Sequence, residues 1–472
     1  MASTLKVLEQ CQVSPPKDSV PTTSLPLTFL DIPWLVLLQP VQRLYFYEFP
    51  HPSHHFTQTL LPSLKHTLSL TLQNFFPLSG NLTCPPPPSM PYIHYVANMS
   101  SVKFTITESA ANFIHLIGNH PRHVQEFDHL VPHLPDFNNL DSNSSDTTTF
   151  LLPILALQAT IFPNSGLCIS IAYRHVVDGR TANHFMKCWA SVYKSGGDLS
   201  CIHESPPIYD RDLIKTPKDY EPILFNQYIG LRSTWKNLDM AKSSSIFIDN
   251  FRTTFVLGRE NIQSLKQLIM TQCKNCNEPT PKHLSKFVVT CGFVWVCLMK
   301  ALHASETGVT SMKDDDLLRL AFAADIRSLF QNPVPITYFG NCLSACYVAD
   351  KKREIMAECG IAKAVKALEA AIFELKNRDL EGLERMVPFR GELAVAESSV
   401  AIAGSPKLGV YGTDFGWGRA KKVEVVHFVD STVFSLAESR DEEDGIEVGL
   451  ALPRTTMDAF TSLFEQGLKN FC

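Results

Sequence analysis

The chain has 472 residues, 45% hydrophobic and 19% charged, which is enough to bury two domain-sized cores. A formal charge of −5 excludes a general electrostatic attraction to nucleic acid or to anionic lipid. The thirteen cysteines are odd in number, and Cys291, Cys297, Cys342 and Cys346 lie within apolar runs, so reduced buried thiols are expected rather than a disulfide framework. The first residues, MASTLKVLEQCQVSPPKDSVPTTS, lack the apolar core of a secretory signal, so a cytoplasmic protein is expected. The Asn-x-Ser/Thr sites at Asn81, Asn98 and Asn143 then read as chance matches.

In chain order, PLTFLDIPWLVLLQPVQRLYFYEFP alternates apolar residues with prolines and predicts strands and turns. LLPSLKHTLSLTLQNFFPLSGNL places Leu64, Leu68, Leu70 and Leu72 at roughly helical spacing and stops at Gly80-Asn81. CPPPPSMP is a rigid turn before a strand, YIHYVA; the turn-rich HLPDFNNLDSNSSD precedes two buried strands, FLLPILALQATIF and GLCISIAYRH. From Ser195 to about Tyr228 the Gly, Pro and charge content reads as a surface crossover. IDNFRTTFVL predicts a strand, with a helix after Gly258 and a loop at CKNCNEPTPK. The longest apolar run, Phe287 to Met299, is too short to span a bilayer and reads as a buried core helix. EIMAECGIAKAVKALEAAIFELKN is helical in composition; VEVVHFVD, STVFSLAES and GIEVGLALP predict strands, and TTMDAFTSLFEQGL a closing helix. The pattern predicts an α/β (mixed α+β) protein with domains 1–195 and 229–472, a crossover linker at 196–228, and the active site between them.

Three stretches carry candidate chemistry. IAYRHVVDGRT ends a strand on His175, a side chain suited to general-base work near neutral pH, beside the turn residues Asp178-Gly179. ITYFGNCL is, on its residues alone, a strand and turn. YGTDFGWGRAKK is a tight loop with Phe415 and Trp417 among glycines, followed by Arg419, Lys421 and Lys422.

HVVDG, YFGNC and DFGWG, in this order and at these separations, resemble the BAHD family of plant acyl-CoA-dependent acyltransferases. YFGNC marks the flavonoid/anthocyanin and phenolic-glucoside malonyltransferase-like branch. PLTFLDIPWL, SPPIYDRDLIKTP and the C-terminal helix extend the likeness over nearly the whole chain. The resemblance implies a chloramphenicol-acetyltransferase-like fold, two similar-sized domains with a channel between them, working as a monomer. It implies O-acylation of a flavonoid, anthocyanin or phenolic glucoside from a coenzyme A thioester, with malonyl favoured over hydroxycinnamoyl and no covalent acyl-enzyme. The thioester is a co-substrate, and neither a cofactor nor a metal is expected. By the same resemblance His175 is the catalytic base and Asp414 a second catalytic residue. Asp178, paired with Arg327, supports the site, as do Gly416 and Trp417, and Ser285, Arg180, Arg419 and Lys422 contact the donor.

One departure bears on the chemistry. The family motif is His-x-x-x-Asp, whereas two residues separate His175 from Asp178. Counted back from Asp178, Arg174 takes the base position, and a guanidinium stays protonated at neutral pH. Counted along the strand from Gly166, His175 takes it. A slip within a buried strand would turn its apolar set outward, whereas a shortened loop disturbs less, so His175 is placed in the catalytic slot. The alternative is a catalytically silent relative that binds CoA or a phenolic ligand. A second departure is Ala182, four residues after Asp178, where some malonyl-transferring relatives carry a basic residue. Cys273-x-x-Cys276 and Asp314-Asp315-Asp316 are set aside as a polar loop and a solvated turn.

Overall fold

LALQATIF and GLCISIAY are largely apolar, with Gln158, Thr160 and Ser170 as exceptions, and in the computed structural model of the chain every residue of both strands is buried at the centre of a sheet. The structure describes residues 5–37, 39–135, 148–216, 220–237, 249–305, 311–377, 398–428 and 433–469. Asn143, Cys472 and most of HLPDFNNLDSNSSD lie outside the described residues.

The N-terminal half supplies β1 (Leu5–Val13), β2 (Thr23–Pro26), β3 (Val41–Glu48), β4 (Asn81–Cys84), β5 (Tyr92–Tyr95), β6 (Val102–Ser109), β7 (Arg122–His123), β8 (Phe150–Pro153), β9 (Leu155–Phe162) and β10 (Gly166–Tyr173). The C-terminal half supplies β11 (Asn250–Leu257), β12 (Leu317–Asp325), β13 (Leu343–Lys351), β14 (Ser399–Gly404), β15 (Lys422–Val425), β16 (Val433–Glu438) and β17 (Ile446–Pro453). Three mixed or antiparallel sheets result, ordered β1-β6-β9-β10-β3-β15, β13-β12-β14-β16-β17-β11-β7 and β2-β5-β4-β8. Each half lends an edge strand to the other: β15 closes the N-terminal sheet on β3, and β7 closes the C-terminal sheet on β11. The longer helices are α1 (Leu61–Asn74), α2 (Gly179–Lys194), α3 (Glu221–Asn237), α4 (Arg259–Asn275), α5 (Lys286–Ala304), α6 (Gly360–Asn377) and α7 (Arg454–Lys469).

The sequence-predicted strands and helices are largely found, with informative differences. The segment read as a bare crossover carries a short helix, Ser200–Glu204, and the start of α3. Leu224, Tyr228, Leu231 and Trp235 of α3 are buried in the N-terminal core. The apolar run at 287–299 extends to the 19 residues of α5, whose mean hydropathy of 1.7 would suit a bilayer. Its apolar surface is instead covered by protein, with Val288 to Met299 buried throughout. The predicted helix at 354–377 is interrupted, because Lys352–Met356 ends before α6 begins at Gly360.

The cysteine reading needs one correction. Cys276 and Cys359 are joined as a disulfide, their Cα atoms 6.7 Å apart, because the end of α4 packs beside the start of α6. Cys291, Cys297, Cys342 and Cys346 are free and buried as expected.

Close packing of α5 on α6 rests on Gly292. A Cβ there would stand 2.6 Å from Val365 Cγ2 and 3.2 Å from its backbone nitrogen. Gly292→Leu should therefore lower the thermal unfolding midpoint, since overpacking of about 1–3 kcal/mol outweighs the helix-propensity gain. An unchanged or raised midpoint in a thermal melt would show that the two helices are not in close contact.

Candidate active site

Strand β10 ends at Tyr173, opposite Val41 at the start of β3, and the chain then turns toward α2. Arg174 and His175, the first residues beyond the strand, meet different groups. Arg174 follows Ala172 to the face where Leu134, Ala156 and Ala172 cluster. It is 4% exposed; its Nε donates to the Pro153 carbonyl at 2.9 Å and its Nη2 to the Pro135 carbonyl. Ile171 and Tyr173 point to the other face of β10, Ile171 paired with Arg43, and His175 sits in the turn that follows them. On that face Arg43, Val423 and Val425 line a cleft between the two large sheets, together with Thr254, Ser435 and Gly449.

His175 is half-buried, and its Nε2 lies 3.1 Å from the Gln39 carbonyl. Burial, assisted by the Arg174 charge, pulls the imidazole down to about 4, so it is neutral at pH 7. A carbonyl only accepts, so Nε2 carries the proton and Nδ1 is left as the basic nitrogen.

The turn after His175 is locked from across the domain boundary. Asp178 is fully buried and is the N-cap of α2, its Oδ1 accepting from Thr181 N at 2.8 Å. Its Oδ2 accepts from Arg327 Nη2 at 2.7 Å and from Cys342 N at 3.3 Å. The two residues that the resemblance pairs are thus in contact despite the shortened motif. Arg327 also reaches Asp325 at 3.2 Å, and these carboxylates raise its basicity against the cost of burial.

YFGNC proves to be the other side of this lock. Asp178 N donates to the Gly340 carbonyl at 3.2 Å, and Asn341 Nδ2 to the His175 carbonyl at 2.9 Å. Asn341 is in turn held by Asp31, whose Oδ1 accepts from its backbone N at 2.9 Å and from its side chain at 3.1 Å. Gly340 has φ +138°, and a Cβ there would come within 2.7 Å of Arg211 Nη1, so glycine is required. Asp31 and Asn341 escaped the reading of single residues. The available signal was a lone acid, LDIPW, inside an otherwise apolar stretch.

DFGWG lies elsewhere. Phe415 and Trp417 stack on each other at 5.1 Å and meet Tyr47 edge-on at 5.9 and 5.5 Å; Phe415 also meets Trp189 at 5.1 Å. Tyr47 is near the far end of β3 from the His175 turn, roughly 20 Å away at the rise of an extended strand. Asp414, expected to be catalytic, is not brought together with His175. Its carboxylate accepts from Lys194 Nζ at 2.7 Å and Gly416 N at 2.8 Å, which hold it below its ordinary range against partial burial. Its position is that of a turn-holding residue, with Gly416 at φ +93° shaping the same turn.

The four side chains expected to contact the donor do not converge. Ser285 caps α5, accepting from Val288 N at 3.3 Å. Arg180 is paired with Asp325 at 2.9 Å, and Arg419 lies 5.7 Å from the Tyr411 ring centroid. Lys422 is enclosed, donating to Asn119 Oδ1 at 2.7 Å with Glu447 at 3.4 Å, so its ammonium is not available to a phosphate at the surface.

Breaking the Asp178–Arg327 pair leaves a buried guanidinium short of a counter-charge. Asp178→Ala should cost about 3–5 kcal/mol of stability. Asp325→Asn, at a carboxylate one-third exposed, should cost far less. Thermal melts of the two variants check this; equal midpoints would remove the lock from the account.

The chain matches the Transferase family over residues 5–467. It is 37% identical over 473 residues to a malonyl-coenzyme A:anthocyanin 3-O-glucoside-6''-O-malonyltransferase of Dahlia pinnata, covering 99% of this chain and 98% of that one. It is 36% identical over 486 residues to a coumaroyl-CoA:anthocyanidin 3-O-glucoside-6''-O-coumaroyltransferase of Arabidopsis thaliana, covering 99% and 98%. Among solved structures, vinorine synthase superposes with a TM-score of 0.68 at 16% identity over 98% of both chains, a likeness of fold. The chain belongs to the BAHD acyltransferases of the Transferase family.

Proposed function

We propose that this chain transfers an acyl group from a coenzyme A thioester to a hydroxyl of an anthocyanin, flavonoid or phenolic glucoside. Malonyl is the favoured group and hydroxycinnamoyl the second. The names of the two relatives support both donor classes and a glucoside acceptor. The observation that carries the chemistry is His175: a neutral imidazole, its proton fixed on Nε2 by the Gln39 carbonyl, in the turn that follows the strand whose Ile171 is paired with the cleft-lining Arg43.

In this reading Nδ1 of His175 takes the acceptor's hydroxyl proton as the oxygen attacks the thioester carbonyl. The C–S bond then breaks, and the proton passes to the departing thiolate. A positioned base contributes roughly 10²–10⁴-fold, and holding the two substrates in line contributes more. This chemistry calls for no metal, and two small substrates call for no partner chain, so the reading keeps the chain a monomer in the cytosol.

Arg180 is already paired with Asp325, so a malonyl carboxylate needs another cation. Arg43 fits this role: it is 4% exposed, lines the cleft, has no partner for its Nε, and makes no ion pair among the described residues.

Free-thiol release from malonyl-CoA and coumaroyl-CoA with a panel of glucosides tests the activity. Release is expected with malonyl-CoA, and no release with any donor would leave only a CoA-binding relative. Arg43→Met should raise KM for malonyl-CoA more than for coumaroyl-CoA; an equal effect would remove Arg43 from donor selection. The base must be unprotonated, and its folded-state value of about 4 lies below that of a free imidazole. The pH profile of kcat/KM should therefore stay level from about pH 8 to about pH 5 and fall as acid protonates the ring. A decline centred near pH 6.5 would mean that the base is not this buried ring.

A further inference from the structure

A second imidazole stands beside the first. His427 follows the end of β15 and is half-buried, next to the first residues of β3. The Val426 backbone N donates to the Gln42 carbonyl at 3.1 Å, and the Gln42 backbone N–H points at His427 Nδ1, 3.5 Å away. His175, on the opposite edge of β3, is held by Gln39. The two rings therefore bracket the segment Gln39–Gln42, one contributed by each half of the chain.

Their proton positions are complementary. A backbone N–H only donates, so His427 Nδ1 accepts and Nε2 carries the proton, as in His175, but here the nitrogen left free is the protonated Nε2, whereas His175 leaves the basic Nδ1 free. Burial and the neighbouring His175, Arg252 and Arg43 pull His427 down to about 3 against a raising contribution from the Gln42 backbone, and among the described residues no carboxylate acts on it. It is a neutral hydrogen-bond donor throughout the working pH range, close enough to His175 that charge on one ring disfavours charge on the other.

We infer that His427 is the oxyanion donor of the reaction, its Nε2–H directed at the thioester carbonyl oxygen while His175 Nδ1 receives the acceptor's proton. As the acceptor oxygen bonds to the carbonyl carbon, the π electron pair moves onto the carbonyl oxygen, and the His427 N–H stabilises that charge. Collapse restores the C=O bond and expels the CoA thiolate, which takes the proton held by His175. A neutral imidazole is a suitable donor here, because its proton is shared with the oxyanion rather than lost to it. The inference rests on the base role proposed for His175.

The test compares His427→Leu, which removes the donor, with His427→Gln, which keeps an N–H at similar reach. Both are assayed in the full-length protein with the acyl-CoA that the unaltered chain uses, alongside His175→Ala. The expected result is a fall in kcat of about 10²–10³-fold for His427→Leu, as for loss of one oxyanion donor. KM for the donor and the thermal midpoint should stay near those of the unaltered protein, and His427→Gln should recover at least about tenfold of the lost rate. The proposal is overturned if His427→Leu turns over normally, or if Gln recovers nothing. If either variant fails to fold, the smaller pair His427→Ala and His427→Asn asks the same question. His175→Ala separates the two claims: if it remains active, the base reading has failed, and if it is inactive while His427→Leu is active, only the donor reading has failed.

Discussion

A carboxylate with no exposed surface joins the two halves of this molecule where their sheets meet. Asp178 belongs to the N-terminal half, while Arg327 and the Cys342 amide that bind it belong to the C-terminal half. Such a pair adds little net stability compared with apolar packing, but a vacancy on either side is costly. Its effect is to select one arrangement. The same Asp178 starts α2 through Thr181, so the helix, the turn before it and the YFGNC segment are fixed together. The shortened motif is accommodated because the residues on either side of the turn, Tyr173 in the sheet and Asp178 at the cap, are held independently of its length.

The division of labour between Arg174 and His175 follows from the partners each one meets. A guanidinium can be buried only where carbonyls receive it, and Pro135 and Pro153 do so on one face. The imidazole is held by Gln39 just before β3, the strand that β15 of the C-terminal half joins. Strand exchange between the halves is thus part of the site: β15 carries Val423 and Val425 into the cleft wall and delivers His427 beside β3. The DFGWG loop serves the same exchange at a distance. Its aromatic pair is clamped on Tyr47, Trp189 and Tyr193, and the strand that follows the loop is β15.

Much of the fold was legible in the residues. β9, β10 and the middle of α5 are mostly apolar runs, and burial on all sides leaves few alternatives for such runs. The motif order fixed the family, and the resemblance placed Arg327 against Asp178. What escaped was long-range polar chemistry. Asp31 meets Asn341 across 310 positions, and Gln42 meets His427 across 385. Nothing local marks either pairing, because a buried polar residue is defined by partners that the fold supplies. Asp414 and Lys422 are the opposite case. A motif acid and a basic run suggest chemistry and phosphate contacts, yet one holds a turn and the other is enclosed on the inner face of β15, beside Glu447. Lys422 and Glu424 recur at the strand period, a signal that their side chains share one face.

The claim on which the rest depends is that an imidazole, and not a guanidinium, occupies the reacting position. It is measured most directly by free-thiol release from acyl-CoA by Arg174→Met and His175→Ala, each checked for CoA binding and an intact thermal transition. The account predicts that Arg174→Met retains turnover while His175→Ala loses it by roughly 10²-fold or more. Undiminished turnover by His175→Ala, or an equal loss in both folded variants, would contradict it.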